Sequence, residues 1–150
     1  MIRFAQLLKE LDQTTSTNKK VESLVRYFCD VPSEDACWGL QLISGEKVKT
    51  KVNRTFIHET FCEYAKMPMW LFKESSYHVG DASETMALLR GPKENTIEPP
   101  ALGKFIEEEL LTLKKLSEEE IKAKFHKWWD SYDESILFLI HKCFSGNLRM

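Results

Sequence analysis

Breakers and thiols are scarce in this chain: six glycines, five prolines and four cysteines among 150 residues. Cys29, Cys37, Cys62 and Cys143 are scattered with no C-x-x-C pair, which excludes a recognisable zinc knuckle or disulfide framework and predicts buried free thiols. No apolar run approaches the ~20 residues that cross a bilayer, and Met1-Ile2-Arg3-Phe4 lacks a signal-peptide layout. The expectation is a cytoplasmic, monomeric protein. His58, His78, His126 and His141 lie far apart without the H-E-x-x-H spacing or a paired cysteine nucleophile, which argues against metal or triad chemistry and for surface or satisfied histidines. Convincing period-2 strands and fixed-spacing repeats are also missing.

Charge of one sign is nearly absent in sum, at a formal net charge of -2, but its distribution is uneven. Lys47, Lys49, Lys51 and Arg54 crowd together against Glu46 alone, whereas Glu107 to Glu109 and Glu118 to Glu120 form an acidic zone relieved only by Lys114 and Lys115. Such polarity permits a basic face on a mildly acidic body. About 150 residues bury roughly two thirds of their unfolded surface, enough for one core without staples.

What is present is helical periodicity. Phe4, Leu7, Leu8 and Leu11 recur with helical spacing, as do Val21, Leu24, Val25 and Phe28. Pro32 and Ser33-Glu34-Asp35 predict a helix start with Ser33 as cap, Trp38, Leu42 and Ile43 inward, and Gly45 as the stop. Phe56, Ile57, Thr60, Phe61 and Tyr64 mark another helix, and Pro68 suits a first turn before Trp70, Leu71 and Phe72. Gly80 can end that helix in a left-handed conformation, while Asp81 and Glu84 have capping-box spacing for the next, closed by Gly91-Pro92. The stretch near 91–101, with three prolines, reads as an exposed connector and a candidate boundary between two helical subdomains. Three helices follow: Leu102 to Lys114, one opened by the capping box at Ser117, and one from about Asp133 to Phe144. Trp128 and Trp129 point about 100 degrees apart on one helix, so at least one of them packs in the core rather than stacking on bases. The predicted fold is all-α, a compact bundle of about eight to nine helices.

Three polar bends have ligand chemistry. In Thr14-Thr15-Ser16-Thr17-Asn18-Lys19-Lys20, hydroxyls, helix-terminal N–H groups and ammonium groups suit phosphate oxygens, although an ordinary capped turn explains the same residues. At the second, Gly80-Asp81, glycine allows close backbone approach and the following helix offers free N–H groups beside Ser83; a C-cap followed by an N-cap is the local alternative. In the third, Ser145-Gly146-Asn147-Leu148-Arg149, Gly146 can turn the chain and Arg149 can pair with phosphate, though a plain helix stop is equally grammatical. The chain halts just after this bend, which reads as one module of a larger protein.

The order of these segments resembles the N-terminal DNA-binding domain of bacterial ATP-dependent DNA ligases. The resemblance runs from Arg3-Phe4-Ala5 through Thr14 to Val21 and Leu24 to Phe28, then Trp38 to Gly45, Pro68 to Ser75, Val79-Gly80-Asp81-Ala82-Ser83-Glu84-Thr85 and Ser145 to Met150, covering essentially residues 1–150. T-T-S-T-N-x-K together with V-G-D-x-x-E-T carries most of its specificity. It implies a helical domain that grips double-stranded or nicked DNA through the minor groove and the phosphates, without reading sequence, for replication, repair or recombination in a bacterial, nucleoid-associated setting. The residues it implies as contacts are Thr15, Ser16, Thr17, Lys19, Gly80, Asp81, Ser83, Ser145, Gly146, Asn147 and Arg149, with Asp81 shaping its turn because a carboxylate repels phosphate. Lys47, Lys49, Lys51 and Arg54 correspond to a variable basic loop offering nonspecific attraction. The family's K-x-D-G lysine, which becomes adenylated, does not occur here, so this chain alone is expected neither to ligate nor to hold a cofactor; ATP and Mg are expected for the parent ligase, whose catalytic domains are its intramolecular partners. Two other readings remain open: a helical protein-interaction module using the acidic helices between Glu107 and Glu120, and a small hydrolase, for which no clustered titratable groups are recognisable.

Overall fold

The computed structural model describes residues 1–146 and 148. Nine α-helices follow one another among the described residues: α1 (Ile2–Asp12), α2 (Thr17–Asp30), α3 (Ser33–Ile43), α4 (Arg54–Ala65), α5 (Met69–Val79), α6 (Ala82–Arg90), α7 (Leu102–Phe105), α8 (Glu118–Ser131) and α9 (Glu134–Ser145). They form the all-α bundle expected from the periodicity, with no strand among the described residues. No helix is long and apolar enough to cross a membrane among those residues.

The bundle is organised around α9. Its Ile136, Leu137, Leu139, Ile140, Cys143 and Phe144 are all buried, the pattern of a helix apolar on every side. Helices α1 and α6 pack against it, and the core it joins holds Phe4 and Leu7 of α1, Leu42 of α3, Phe61 of α4, Phe72 of α5, Met86 of α6 and Phe125 of α8. Both Trp128 and Trp129 belong to this core; Trp129 lies edge-on to Phe61 at 5.2 Å between ring centroids. The connector after α6 is exposed as expected, yet it is strapped to the body. Ile97 donates its N–H to Ser131 O at 2.8 Å, Lys93 pairs with Asp130 at 3.6 Å, and the Met1 amine donates to Pro100 O at 3.2 Å. One apolar cluster contains residues from both sides of it.

Several expectations are corrected in detail. Val21 and Val25 are exposed, because α2 turns Ser23 and Tyr27 inward instead. Gly39 makes room for that ring: a Cβ there would stand 3.1 Å from Tyr27 Cε1, and the ring also meets Phe4 at 5.6 Å. Ser33 is the first residue of α3 and makes no capping bond; Pro32 occupies the cap position. Cys29 and Cys37 are exposed, and only Cys62 and Cys143 are buried. The helix expected over Leu102 to Lys114 is α-helical for one turn, widens into a π turn over Ile106–Leu110 and tightens into a 3-10 turn over Leu111–Lys115. Leu102, Phe105, Ile106, Leu110 and Leu113 are all buried along this irregular path. At Ser117 the capping box forms in both directions, as its sequence requires.

Candidate nucleic-acid interface

The second and third bends meet in one cavity. It has a volume of about 240 Å³ and lies between the first turn of α4, the start of α6 and the end of α9, with Gly80, Asp81, Ser83 and Ser145 in its wall beside Arg54, His58, His141 and Lys142. Gly80 ends α5 at φ 88°, a left-handed conformation that glycine adopts without the Cβ penalty. That reversal sets Asp81 as the cap of α6, where its side chain accepts from Ser83 N at 2.8 Å and Glu84 N at 3.2 Å. Only this half of the anticipated capping box forms among the described contacts.

Asp81 has a second partner that links the two bends. Lys142, on the last turn of α9, donates Nζ to Asp81 Oδ2, and its side chain is 7% exposed against 27% for Asp81. Burial pushes the Asp81 carboxyl up, but the Lys142 ammonium and the N–H groups of Glu84 and Ser83 outweigh it and hold the group below its ordinary value. Asp81 therefore shapes the turn, as its sequence position implied, and it stays ionised to anchor a buried cation.

The two histidines of the cavity are held neutral. Burial, then the positive charges of Arg54 and Lys73, lower His58 to about 4. His141 is lowered to about 3 by burial first and His58 second, with Asp81 opposing. Trp129 Nε1 donates to His141 Nε2 at 3.0 Å, so the neutral ring carries its proton on Nδ1.

The third bend is also tied to the basic loop. Val48 donates its N–H to Cys143 O at 2.8 Å, and a Cβ on Gly146 would meet Gly45 O at 2.9 Å. Lys47 and Lys49 are thus exposed beside the end of α9, while Lys51 donates to Leu116 O. Asn147 and Arg149, two of the expected contacts, lie outside the described residues.

The first bend stands on its own. Ser16 caps α2, accepting from Lys19 N at 3.5 Å, and Thr14 Oγ1 accepts from Ser16 N at 3.1 Å. Thr15, Ser16, Thr17 and Lys19 are all exposed, and their side chains make no other hydrogen bond among the described contacts. No described hydrogen bond or ion pair joins this bend to the cavity, although α1, which leads into it, packs against α9. Sequence reasoning overlooked Arg54, His58, His141 and Lys142 as a group. The only signal was the four-residue interval from Arg54 to His58, which places both on one helix face.

The described residues form an all-α bundle whose bends carry hydroxyls, N–H groups and cations. The family comparison makes the class specific: the model described as "DNA ligase N terminus" matches residues 1–150. The chain belongs to this family, the N-terminal domain of ATP-dependent DNA ligases. Comparison with curated proteins and with solved structures finds no match.

Proposed function

We propose that this domain holds double-stranded DNA by its sugar-phosphate backbone, without reading sequence, and positions nicked duplex for the catalytic domains of an ATP-dependent ligase. The observation that carries the reading is the meeting of the second and third bends at one cavity, with Arg54 and Lys142 in its wall, while the exposed Lys47 and Lys49 flank Val48, which is bonded to the last turn of α9. Two cations against the single carboxylate of Asp81 leave a positive excess in the cavity wall, which favours a phosphate oxygen. The exposed first bend supplies a second cradle of the same kind at the start of α2. Contacts to phosphates and sugars fix position but carry no base information, which suits an enzyme that must act wherever a break occurs.

Within this reading Thr15, Ser16, Thr17 and Lys19 contact one stretch of backbone, Gly80, Ser83, Ser145 and Gly146 another, and Asn147 and Arg149 extend the second. Chemistry resides in the catalytic domains, which would hold ATP and Mg. Fluorescence anisotropy with a nicked duplex tests the proposal. The expected result is micromolar or weaker binding, indifferent to sequence, whose logarithm falls linearly with the logarithm of salt concentration at about 0.9 per phosphate contacted. Lys19→Glu weakens it several-fold while leaving the melting transition in place, since the side chain is exposed. Absence of binding at low salt refutes the reading and favours a module that docks a basic protein on the acidic helices.

A further inference from the structure

Resting on that reading, we propose that the cavity between α4, α6 and α9 is a seat for one phosphate group of the duplex backbone, held by Arg54, His58 and His141, three residues outside the bends themselves.

Arg54 and His58 project one turn apart from the first turns of α4 into the cavity that the α6 N-terminus closes from the other side. Arg54 is exposed and makes no hydrogen bond or ion pair among the described contacts, so its planar donor fork is available at the mouth. At the floor lies an independent indication of a ligand. His141 is 2% exposed, and its Nδ1 is buried without a partner among the described residues. Because Trp129 occupies Nε2, the proton sits on Nδ1, on the ring edge opposite the indole, and His141 is one of the residues that form the cavity wall. An orphaned buried donor is costly unless something accepts from it. An oxyanion is the acceptor this wall fits: Ser83 is buried with its hydroxyl making no described bond, Lys142 is already neutralised by Asp81, and Arg54 remains as the uncompensated charge.

The state of the histidines gives the seat a measurable signature. His58 is faced by Arg54 on its own helix, Lys73 on α5, Asp81 at the start of α6, and His141 and Lys142 on α9. Burial is the larger effect, and the positive charges of Arg54 and Lys73 add to it, so the ring is neutral. An anion entering within ~5 Å favours protonation and raises a pKa by about one to three units. Binding then takes up a fraction of a proton from solvent at His58, and by linkage affinity rises as pH falls toward 5.

The experiment is a histidine NMR titration of the 150-residue chain, with anisotropy on the same samples, using a nicked duplex and, separately, inorganic phosphate as probes. The expected result is that duplex raises the His58 pKa by about one unit or more and shifts the His141 ring resonances. Arg54→Ala then lowers duplex affinity roughly tenfold, reduces the salt slope by about one and removes the His58 response. His58→Gln, which keeps a donor of similar size, abolishes the gain in affinity on acidification. Duplex that binds with neither histidine responding, and with Arg54→Ala equal to the unaltered protein, overturns the seat and leaves the duplex reading standing. A response to inorganic phosphate but none to duplex overturns the assignment to backbone phosphate. If neither probe binds, both readings fall.

Discussion

Removing the carboxylate of Asp81 should cost far more than removing the ammonium it pairs with. Asp81→Ala deletes the cap of α6, which is worth about 1 kcal/mol, and strands Lys142 with its charge in the core. Breaking a buried pair from one side costs ~3–5 kcal/mol; because the Asp81 side chain is 27% exposed and the pair is partly hydrated, about 2 kcal/mol is the appropriate figure here. The sum of about 3 kcal/mol corresponds to a fall in melting temperature of roughly 6–12 °C for a chain of this size. Lys142→Met keeps the stem packed near Phe138 and leaves Asp81 free to hydrate while still capping, so it should cost only about 1 kcal/mol. In the double variant the stranded charge is gone, and the loss should fall to about 2 kcal/mol, close to the cap and the lost pair alone, which is a coupling of about 2 kcal/mol. Calorimetry or urea unfolding on the four proteins of the cycle measures this directly. Equal single losses that simply add would refute the argument, since they would mean that neither charge depends on the other.

Two further outcomes follow from the same geometry. His141 has a folded pKa lowered to about 3 against an ordinary 6.5, so the folded state binds fewer protons; its contribution is complete above pH 6.5 and declines as pH falls toward 3. Between pH 7 and pH 5 urea unfolding should register a loss of about 2 kcal/mol from this group. His58 adds a smaller share because it is only half-buried, and His141→Gln, which preserves an acceptor for Trp129, should flatten the profile; a wild-type stability unchanged over this range would contradict the burial argument. Gly80→Ala introduces a Cβ with nothing within 4 Å, so only the left-handed backbone at φ 88° penalises it. A loss of about 1–2 kcal/mol by thermal denaturation is expected, and a neutral substitution would show that the bend between α5 and α6 relaxes freely.

Much of the local structure was legible because it is decided by neighbours along the chain. Ser117 with Glu120, Asp81 before α6 and the Gly80 reversal each follow from which side chain can satisfy an N–H or carbonyl three or four residues away, and each forms where its residues predict. The inward face of α2 was not legible. Val21, Leu24, Val25 and Phe28 make a grammatical apolar stripe, yet Tyr27 wins the core because Gly39 and Phe4, distant in sequence, leave a ring-sized space. Periodicity reports that a helix has a face, whereas the shape of the opposing surface selects which one. The π turn at Ile106–Leu110 is a similar case: a continuous helical pattern holds a wider turn there, with Ile106 and Leu110 buried, and periodicity alone does not announce it.

The candidate site divides along the same line. Residue order and the T-T-S-T-N-x-K and V-G-D-x-x-E-T strings were enough to mark the three bends and to place the chain among ligase N-terminal domains, because turn chemistry is written locally and family landmarks are linear. Only the tertiary structure could set Arg54, His58, Asp81, His141 and Lys142 around one cavity, since these lie on two helices and at the cap of a third, up to 88 positions apart, from 54 to 142. It alone decides that two of the histidines are neutral and that one lysine is already neutralised, because those states depend on burial and on which charges face each other through space.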